Sequence, residues 1–463
     1  MLASASVVDI SALTADGEYR AINRANVTDF TGRPVAELSL APAPLISRAL
    51  SRMRGSTPLS RTERDAALTL AGEIFASETI DGLTFTEYAQ AVSDISGMGI
   101  STVTAAVEYI SVACSSASSN AYAAEPAGAR QDGSTGRAAW VRRGETLAVL
   151  AAGNHPAVHV HWLEALALGY RVAVRPSRRE PLTPHRLIVA LRRAGFHDEH
   201  VTLLPTEHDG ADQLVRSADF AIVYGGDDVV EKYRDDPRVF TQGPGRSKIL
   251  LTAGANWREH LDVIVNGVAG NGGVGCTNTT AILVEGDPNQ LAEAIAAELA
   301  KLPALPPSDP GAHLPVVEDS VADRIDAHVR EVAGEIPIHR REGASVIPVF
   351  SGGAVVAPAV LVCDSPADPR LQVEMPFPCV WIAPWSSADG LDVLGSTLAL
   401  TLVTEDAELI QQAIERPEIN NVYAGWYSTS WSGGGVPHDG YLGDFLMRSK
   451  GFVSNSHPSV AEA

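Results

Sequence analysis

Residues 138–176 read AAWVRRGETLAVLAAGNHPAVHVHWLEALALGYRVAVRP. Ala138 to Leu150 gives a strand, a turn at Arg143-Gly-Glu and a second strand. Gly153-Asn-His-Pro then breaks the chain. His159 to Gly169 has helical apolar spacing and ends on glycine, the residue favoured just past a helix C-terminus. Arg171-Val-Ala-Val-Arg is a short buried strand that Pro176 closes. A strand, a helix and a strand in this order predict a βαβ unit with parallel pairing.

The alternation continues in both directions. Downstream, Pro184–Ala194 predicts a helix, and Val201-Thr-Leu-Leu and Phe220-Ala-Ile-Val-Tyr predict strands. A second αβ set follows, with strands at 249–252 and 281–284 and helices at 258–268 and 288–301. Later strands are predicted at 380–384, 397–403 and 421–425, and the Pro-rich stretch 303–315 reads as a surface loop. Upstream, residues 1–110 read as mixed and then mainly helical. Thr57-Pro-Leu-Ser-Arg-Thr-Glu-Arg looks like a capped helix start, and Ile100–Cys114 carries helical spacing. Residues 115–135, rich in Ser, Ala, Asn and Gly, read as a loop or exposed hairpin. The expected split is a first α/β domain over 1–247, a second over 248–425 and a C-terminal segment over 426–463. The latter returns to the first domain or to a partner subunit. The 115–143 region is a candidate β extension, and a deep cleft is expected between the two domains.

Composition narrows the function. The chain has 463 residues, 45% hydrophobic and 20% charged, which is ordinary for a globular protein. Acidic residues number 56 and basic residues 35, for a net charge of −21. That balance argues against nucleic acid as a partner. Uninterrupted apolar stretches are too short to predict a membrane span. The first residues carry no Lys or Arg before Arg20, unlike a secretory signal. The four cysteines form no close pair, so neither a disulfide framework nor a zinc site is predicted. A reduced, cytoplasmic protein is the expectation. No G-x-G-x-x-G follows the strands at 147–150, 171–174 or 220–224, which disfavours an ordinary Rossmann dehydrogenase. No H-E-x-x-H, Walker loop or G-x-S-x-G occurs.

Cys276 ends the run Gly270-Asn-Gly-Gly-Val-Gly-Cys. Such a run favours a loop that lets a substrate approach the backbone. The cysteine is a candidate nucleophile, with its own N–H free for an oxyanion; a structural cysteine in a tight turn is the alternative. Asn154 follows a strand and opens a helix, a position that suits an oxyanion donor or a simple cap. Arg175-Pro-Ser-Arg and Tyr224-Gly-Gly also end strands and are candidates for phosphate or nucleotide contact. Glu374 precedes a strand, where it could hold a ribose hydroxyl or be only an exposed loop carboxylate. His438-Asp439 suggests a charge pair, though a turn explains it equally well.

In this order, Asn154, Arg175-Pro-Ser-Arg, Tyr224-Gly-Gly-Asp, Cys276 and Glu374 resemble the aldehyde dehydrogenase superfamily. The segments Leu150-Ala-Ala-Gly-Asn-His-Pro, Gln242-Gly-Pro-Gly-Arg-Ser-Lys and Pro437-His-Asp-Gly-Tyr-Leu-Gly-Asp-Phe look more narrowly like a LuxC-type acyl-CoA reductase. The resemblance implies an aldehyde-dehydrogenase-like α/β fold: a Rossmann-like nucleotide-binding domain, a catalytic domain and a small β oligomerisation extension. It implies that Cys276 forms an acyl-thioester, with Asn154 and the Cys276 N–H as the oxyanion hole. Arg175 and Ser177 would lie along the adenosine, Gly225 and Gly226 near the pyrophosphate, and Glu374 on the nicotinamide ribose. Two departures carry information. Where hydrolytic members have a water-activating glutamate, this chain has Thr241-Gln242. Where many NAD-using members have a glutamate, it has Arg178. The implied activity is reduction of an acyl-CoA or carrier-bound thioester to an aldehyde with NADPH, NADH being possible, and without a metal. The alternatives are aldehyde oxidation to an acid and an inactive binding subunit. A homodimer or homotetramer is expected.

Overall fold

The computed structural model describes residues 7–130 and 136–453. Its first large sheet has seven strands, in the order 239–242, 220–224, 146–150, 171–175, 201–203, 12–14, 17–19. The strands from 239–242 to 201–203 run parallel, and 12–14 and 17–19 add an antiparallel edge. Both faces are covered, so the middles of the central strands 146–150, 171–175 and 220–224 are apolar, with Thr146, Arg171 and Arg175 only at strand ends. Leu147, Val149 and Val172 pack with Trp162, Leu166 and Leu191 on one face. Ala148, Ala173 and Ala221 pack with Ile46, Leu50 and Leu214 on the other. Strand 146–150 pairs with 171–175 on one side and 220–224 on the other. The strand order reverses between 146–150 and 220–224. Their carboxyl ends therefore open the crevice where α/β sheets receive ligands.

The second large sheet also has seven strands, in the order 338–339, 359–362, 379–384, 279–284, 247–251, 397–403, 419–424. It is parallel apart from the 338–339 edge. The chain passes between the sheets through Gly243, Pro244, Gly245 and Arg246 alone. Strand Val239–Gln242 ends at the carboxyl edge of the first sheet, and strand Ser247–Leu251 begins at the amino edge of the second. A connection this short holds those two edges face to face, with the cleft between them.

The 115–135 stretch is not a loop throughout. One helix runs Ile100–Ala121, followed by a 3-10 turn at Tyr122–Ala124 and a short helix at Ala127–Arg130. Ala113, Cys114, Ala117 and Ala121 continue the buried stripe at helical spacing. The serines lie between them, and Ser115 and Ser116 donate back to the Val112 carbonyl. Residues 131–135 lie outside the described residues. Only Arg137–Arg142 is extended, and it pairs antiparallel with Met447–Phe452. The helix Leu442–Leu446 packs on His161–Ala167 of the first domain. Helix Ile100–Ala121, with Glu108 as its one charge, is long and apolar enough by length and composition to cross a membrane. Here it packs on the helices Arg61–Ser77 and His161–Ala167.

Trp162 anchors the helix His161–Ala167. Its side chain is fully buried and donates to His159 Nδ1 at 3.1 Å. Trp162→Ala should lower stability by about 3–5 kcal/mol. Denaturant unfolding measures this; a loss below about 1 kcal/mol would show that the helix does not depend on this contact.

Candidate active site

Cys276 stands just before strand Thr279–Val284, at the amino edge of the second sheet. The turn before it is left-handed at Asn271 (φ 53°), Gly272 (φ 73°) and Gly273 (φ 71°). Gly273 also lies so near Pro378 that a Cβ would come within 2.5 Å of its nitrogen. Buried Asn278 stitches the loop: Oδ1 accepts from the Gly275 N–H at 2.8 Å, and Nδ2 donates to the Gly270 and Gly267 carbonyls. Asn278 carries no distinguishing signal in the sequence, because it stands among polar residues in Thr277-Asn-Thr-Thr before the apolar part of the strand.

The first domain supplies the opposite wall. Asn154 follows strand Thr146–Leu150, and Gly225 and Gly226 follow strand Phe220–Tyr224, the two strands that flank the crevice. Asn154 Nδ2 donates to the Val274 carbonyl at 3.0 Å, which ties it to the Cys276 loop. Asn154, Gly225, Gly226, Cys276 and Glu374 line one cleft of about 550 Å³. Gly225 is fitted against Val229, whose side chain a Cβ would meet at 2.5 Å. Bare backbone at this strand end leaves room for a phosphate-bearing ligand, although Asp227 and Asp228 open the helix that follows.

Arg175, Ser177 and Arg178 do not line this cleft. Arg175 ends strand Arg171–Arg175, and Ser177 and Arg178 follow it, with Ser177 packed on Gly153. Arg175 donates towards the Thr206 carbonyl at 3.4 Å, and Arg178 forms an ion pair with Glu207. Nothing in the sequence around Arg178 points to Glu207; the structure gives the guanidinium this carboxylate partner.

Glu374 is exposed at the cleft wall and accepts from the Arg246 N–H at 2.6 Å. Arg246 holds a left-handed backbone (φ 47°) and reaches Asp227 of the first domain at 2.5 Å. It therefore bridges the two walls. Beneath it, the Lys248 ammonium donates to the Arg246 carbonyl and to Thr397.

The C-terminal segment brings in two further groups. His438 Nε2 lies 3.8 Å from Cys276 Sγ. Asp439 is held by Asn420 and Gln242. The sequence analysis noted both residues without placing them here, because no local pattern links positions 162 residues apart.

The sulfur rests as a neutral thiol. Burial, Glu374 and Asp439 push its pKa up to about 12, against the pull of the Cys276 and Thr277 N–H groups. Burial pushes His438 down to about 4, so its imidazole is neutral. Burial likewise raises Asp439.

Fold and cleft together describe an oxidoreductase architecture: a cysteine loop facing the switch point of a nucleotide-type sheet. The family model "Aldehyde dehydrogenase family" matches residues 19–450, and the chain belongs to that family. An aldehyde-dehydrogenase-like protein of Sinorhizobium fredii is 23% identical over 271 residues, covering 56% of this chain and 51% of that protein. A Caenorhabditis elegans protein, named as an acylating methylmalonate-semialdehyde/malonate-semialdehyde dehydrogenase, is 24% identical over 227 residues, covering 46% and 43%. The chain thus spans about half the length of the curated relatives it matches. An NAD-dependent aldehyde dehydrogenase from Sinorhizobium meliloti superposes with a TM-score of 0.80 at 19% identity, over 98% of this chain and 96% of that one. An indole-3-acetaldehyde dehydrogenase, solved with NAD+, gives 0.81 at 17% identity over 97% of each chain. The fold is that of the aldehyde dehydrogenases.

Gly245 tests how the loop is held. A Cβ there would stand 1.8 Å from the Cys276 carbonyl oxygen, whereas one on Gly254 would meet nothing within 4 Å. Gly245→Ala should displace the cysteine loop and cut kcat/KM at least about tenfold, since small misplacements of reacting groups are costly. Gly254→Ala should leave the rate unchanged. Equal rates for both variants would contradict the close packing.

Proposed function

We propose that the chain reduces an acyl thioester, from CoA or a carrier protein, to an aldehyde with NADPH through an acyl-Cys276 intermediate. The observation that carries this reading is Gln242. It lines the cleft with Cys276, where the family resemblance expects a water-activating glutamate. An amide cannot take a proton from water near neutral pH. The nearby carboxylates are engaged, Asp439 by Asn420 and Gln242 and Glu374 by the Arg246 N–H. A base is typically worth about 10²–10⁴-fold, so the acyl-enzyme should persist towards water.

Cys276 supplies the attacking sulfur. The Asn154 amide and the Cys276 N–H receive the oxyanion, and losing the Asn154 donor should cost about 10²–10³-fold in kcat. Cys276→Ala should abolish turnover. Gly225 and Gly226 would lie near the cofactor's pyrophosphate, Glu374 would hold the nicotinamide ribose, and Arg175, Ser177 and Arg178 would lie along the adenosine half; when bound, that cofactor supplies the hydride. Arg175 offers charge to a 2′-phosphate, and Arg178 would do so by exchanging Glu207 for it, which would favour NADPH. Arg178→Glu should move preference towards NADH, and wild-type kcat/KM equal or higher with NADH would reject the assignment.

Oxidation of an aldehyde to an acid is the second reading, and His438 favours it, because an imidazole beside the sulfur can draw a proton from water. Product analysis with an aldehyde and NADP separates the two. Turnover that requires added CoA or carrier thiol supports thioester chemistry; rapid acid formation without any thiol overturns it. We also propose that the paired strands 137–142 and 447–452 serve self-association, with a homodimer or homotetramer as the result.

A further inference from the structure

His438 is placed with more care than a turn residue needs. Its carbonyl accepts from Asn421 Nδ2, and Asn421 is itself buried and bonded to the Leu398 carbonyl at 2.9 Å. The next residue, Asp439, is tied to Asn420 on the same strand. The second sheet thus holds the chain at His438 and at the residue after it. The first domain fixes the ring. His161 leans on it with centroids 4.8 Å apart, and His161 Nδ1 lies 2.9 Å from the Tyr224 hydroxyl. That hydroxyl is anchored to the Val158 carbonyl at 3.2 Å. One nitrogen, Nε2, faces Cys276 Sγ at 3.8 Å. The other, Nδ1, is buried with no partner among the described residues. A buried imidazole held from two domains, with one nitrogen on a sulfur, is arranged for proton transfer rather than for structure.

The sulfur needs such a partner. A thiol that stays protonated near neutrality attacks poorly unless its proton has an acceptor at hand. Glu374, a carboxylate that lines the same cleft, is bound to the Arg246 N–H.

The geometry points to His438 as the catalytic base for Cys276, taking the thiol proton as the sulfur attacks and giving it to the departing thiolate. The Sγ–H bond breaks and its proton moves to Nε2 while Sγ bonds to the acyl carbon. The carbon–sulfur bond of the donor then breaks, its electron pair stays on the donor sulfur, and Nε2 returns the proton there. Nothing is oxidised or reduced in this half-reaction, and no cofactor is needed. His161 acts through His438 and is a positioning residue. The inference rests on Cys276 as nucleophile, which both functional readings share.

The test uses the full chain without nicotinamide cofactor. The first arm follows alkylation of Cys276 by iodoacetamide, located by peptide mapping; the second follows release of free CoA from an acyl-CoA. His438→Ala should slow alkylation at pH 7 at least about tenfold and thiol release about 10²–10⁴-fold, with melting temperature unchanged. Added imidazole should restore part of the lost rate, which a packing defect would not allow. The wild-type alkylation rate should fall as the imidazole protonates in acid. The titratable groups that share the pockets of His438 are Cys276, His155, His161, Glu164, Tyr109, Tyr224, Tyr423 and Tyr441, with Asp439 beside it in the chain. His161→Gln repeats the pH profile, so a profile that moves with His161 instead assigns the base there and overturns the proposal. If His438→Ala does not fold, the wild-type profile decides: a rate that rises only towards the thiol's own high pKa overturns it. Unchanged alkylation in His438→Ala overturns it directly. Normal alkylation with no CoA release from the wild type would reject the thioester donor and leave the His438 assignment standing on the first arm.

Discussion

The crossing at Gly243–Arg246 is the constraint from which the site follows. It joins the carboxyl edge of one parallel sheet to the amino edge of the other with almost no slack. Gly245 lies against the Cys276 carbonyl, and its own carbonyl accepts from the Leu398 N–H at 2.8 Å. The Ser247 hydroxyl bonds the Cys276 carbonyl at 3.2 Å. Arg246 then joins Glu374 on one wall to Asp227 on the other. The cysteine loop is thereby registered against the strand ends at the switch point of the first sheet, where sheets of this kind receive ligands. Registration of this kind is what lets a nucleophile, an oxyanion donor and a hydride source meet without rearrangement.

The electrostatics of the cleft suit a reaction that creates charge only in passing. The resting sulfur is a thiol, and His438 and His161 are neutral, with burial lowering both and His438 further lowering His161. In the proposed reaction the oxyanion would be met by the Cys276 N–H and the Asn154 amide, which the structure holds on the Val274 carbonyl beside the cysteine loop. Preorganised dipoles of this sort gain strength as charge develops and cost no reorganisation. The carboxylates stand near the sulfur but are hydrogen-bonded elsewhere, which disfavours a standing thiolate and leaves an acyl group on Cys276 exposed to few bases.

Much of this was legible in the sequence, for physical reasons. Strands buried on both faces, such as Thr146–Leu150 and Thr279–Val284, are apolar beyond their opening threonines and buried at every position. The glycines before Cys276 announced a loop, and the structure shows why they are needed: three consecutive left-handed residues, one of them against Pro378. The misreading of 115–121 came from composition. Serine lowers helix propensity in isolation, but here its hydroxyls bond back to the helix while alanines fill the buried face. Arg178 was read alone because its partner, Glu207, belongs to another strand end. His438 and Asp439 were beyond local reading altogether, since their role depends on where an irregular C-terminal segment is tied down.

A covalent acyl group on Cys276 that outlives contact with water is the central claim. Intact-mass and peptide analysis of the chain incubated with an acyl-CoA, without nicotinamide cofactor, tests it most directly. The account predicts one acyl adduct, located on Cys276, that persists until NADPH discharges it as aldehyde. An adduct on another residue, no adduct, or discharge as free acid faster than NADPH can act would contradict it.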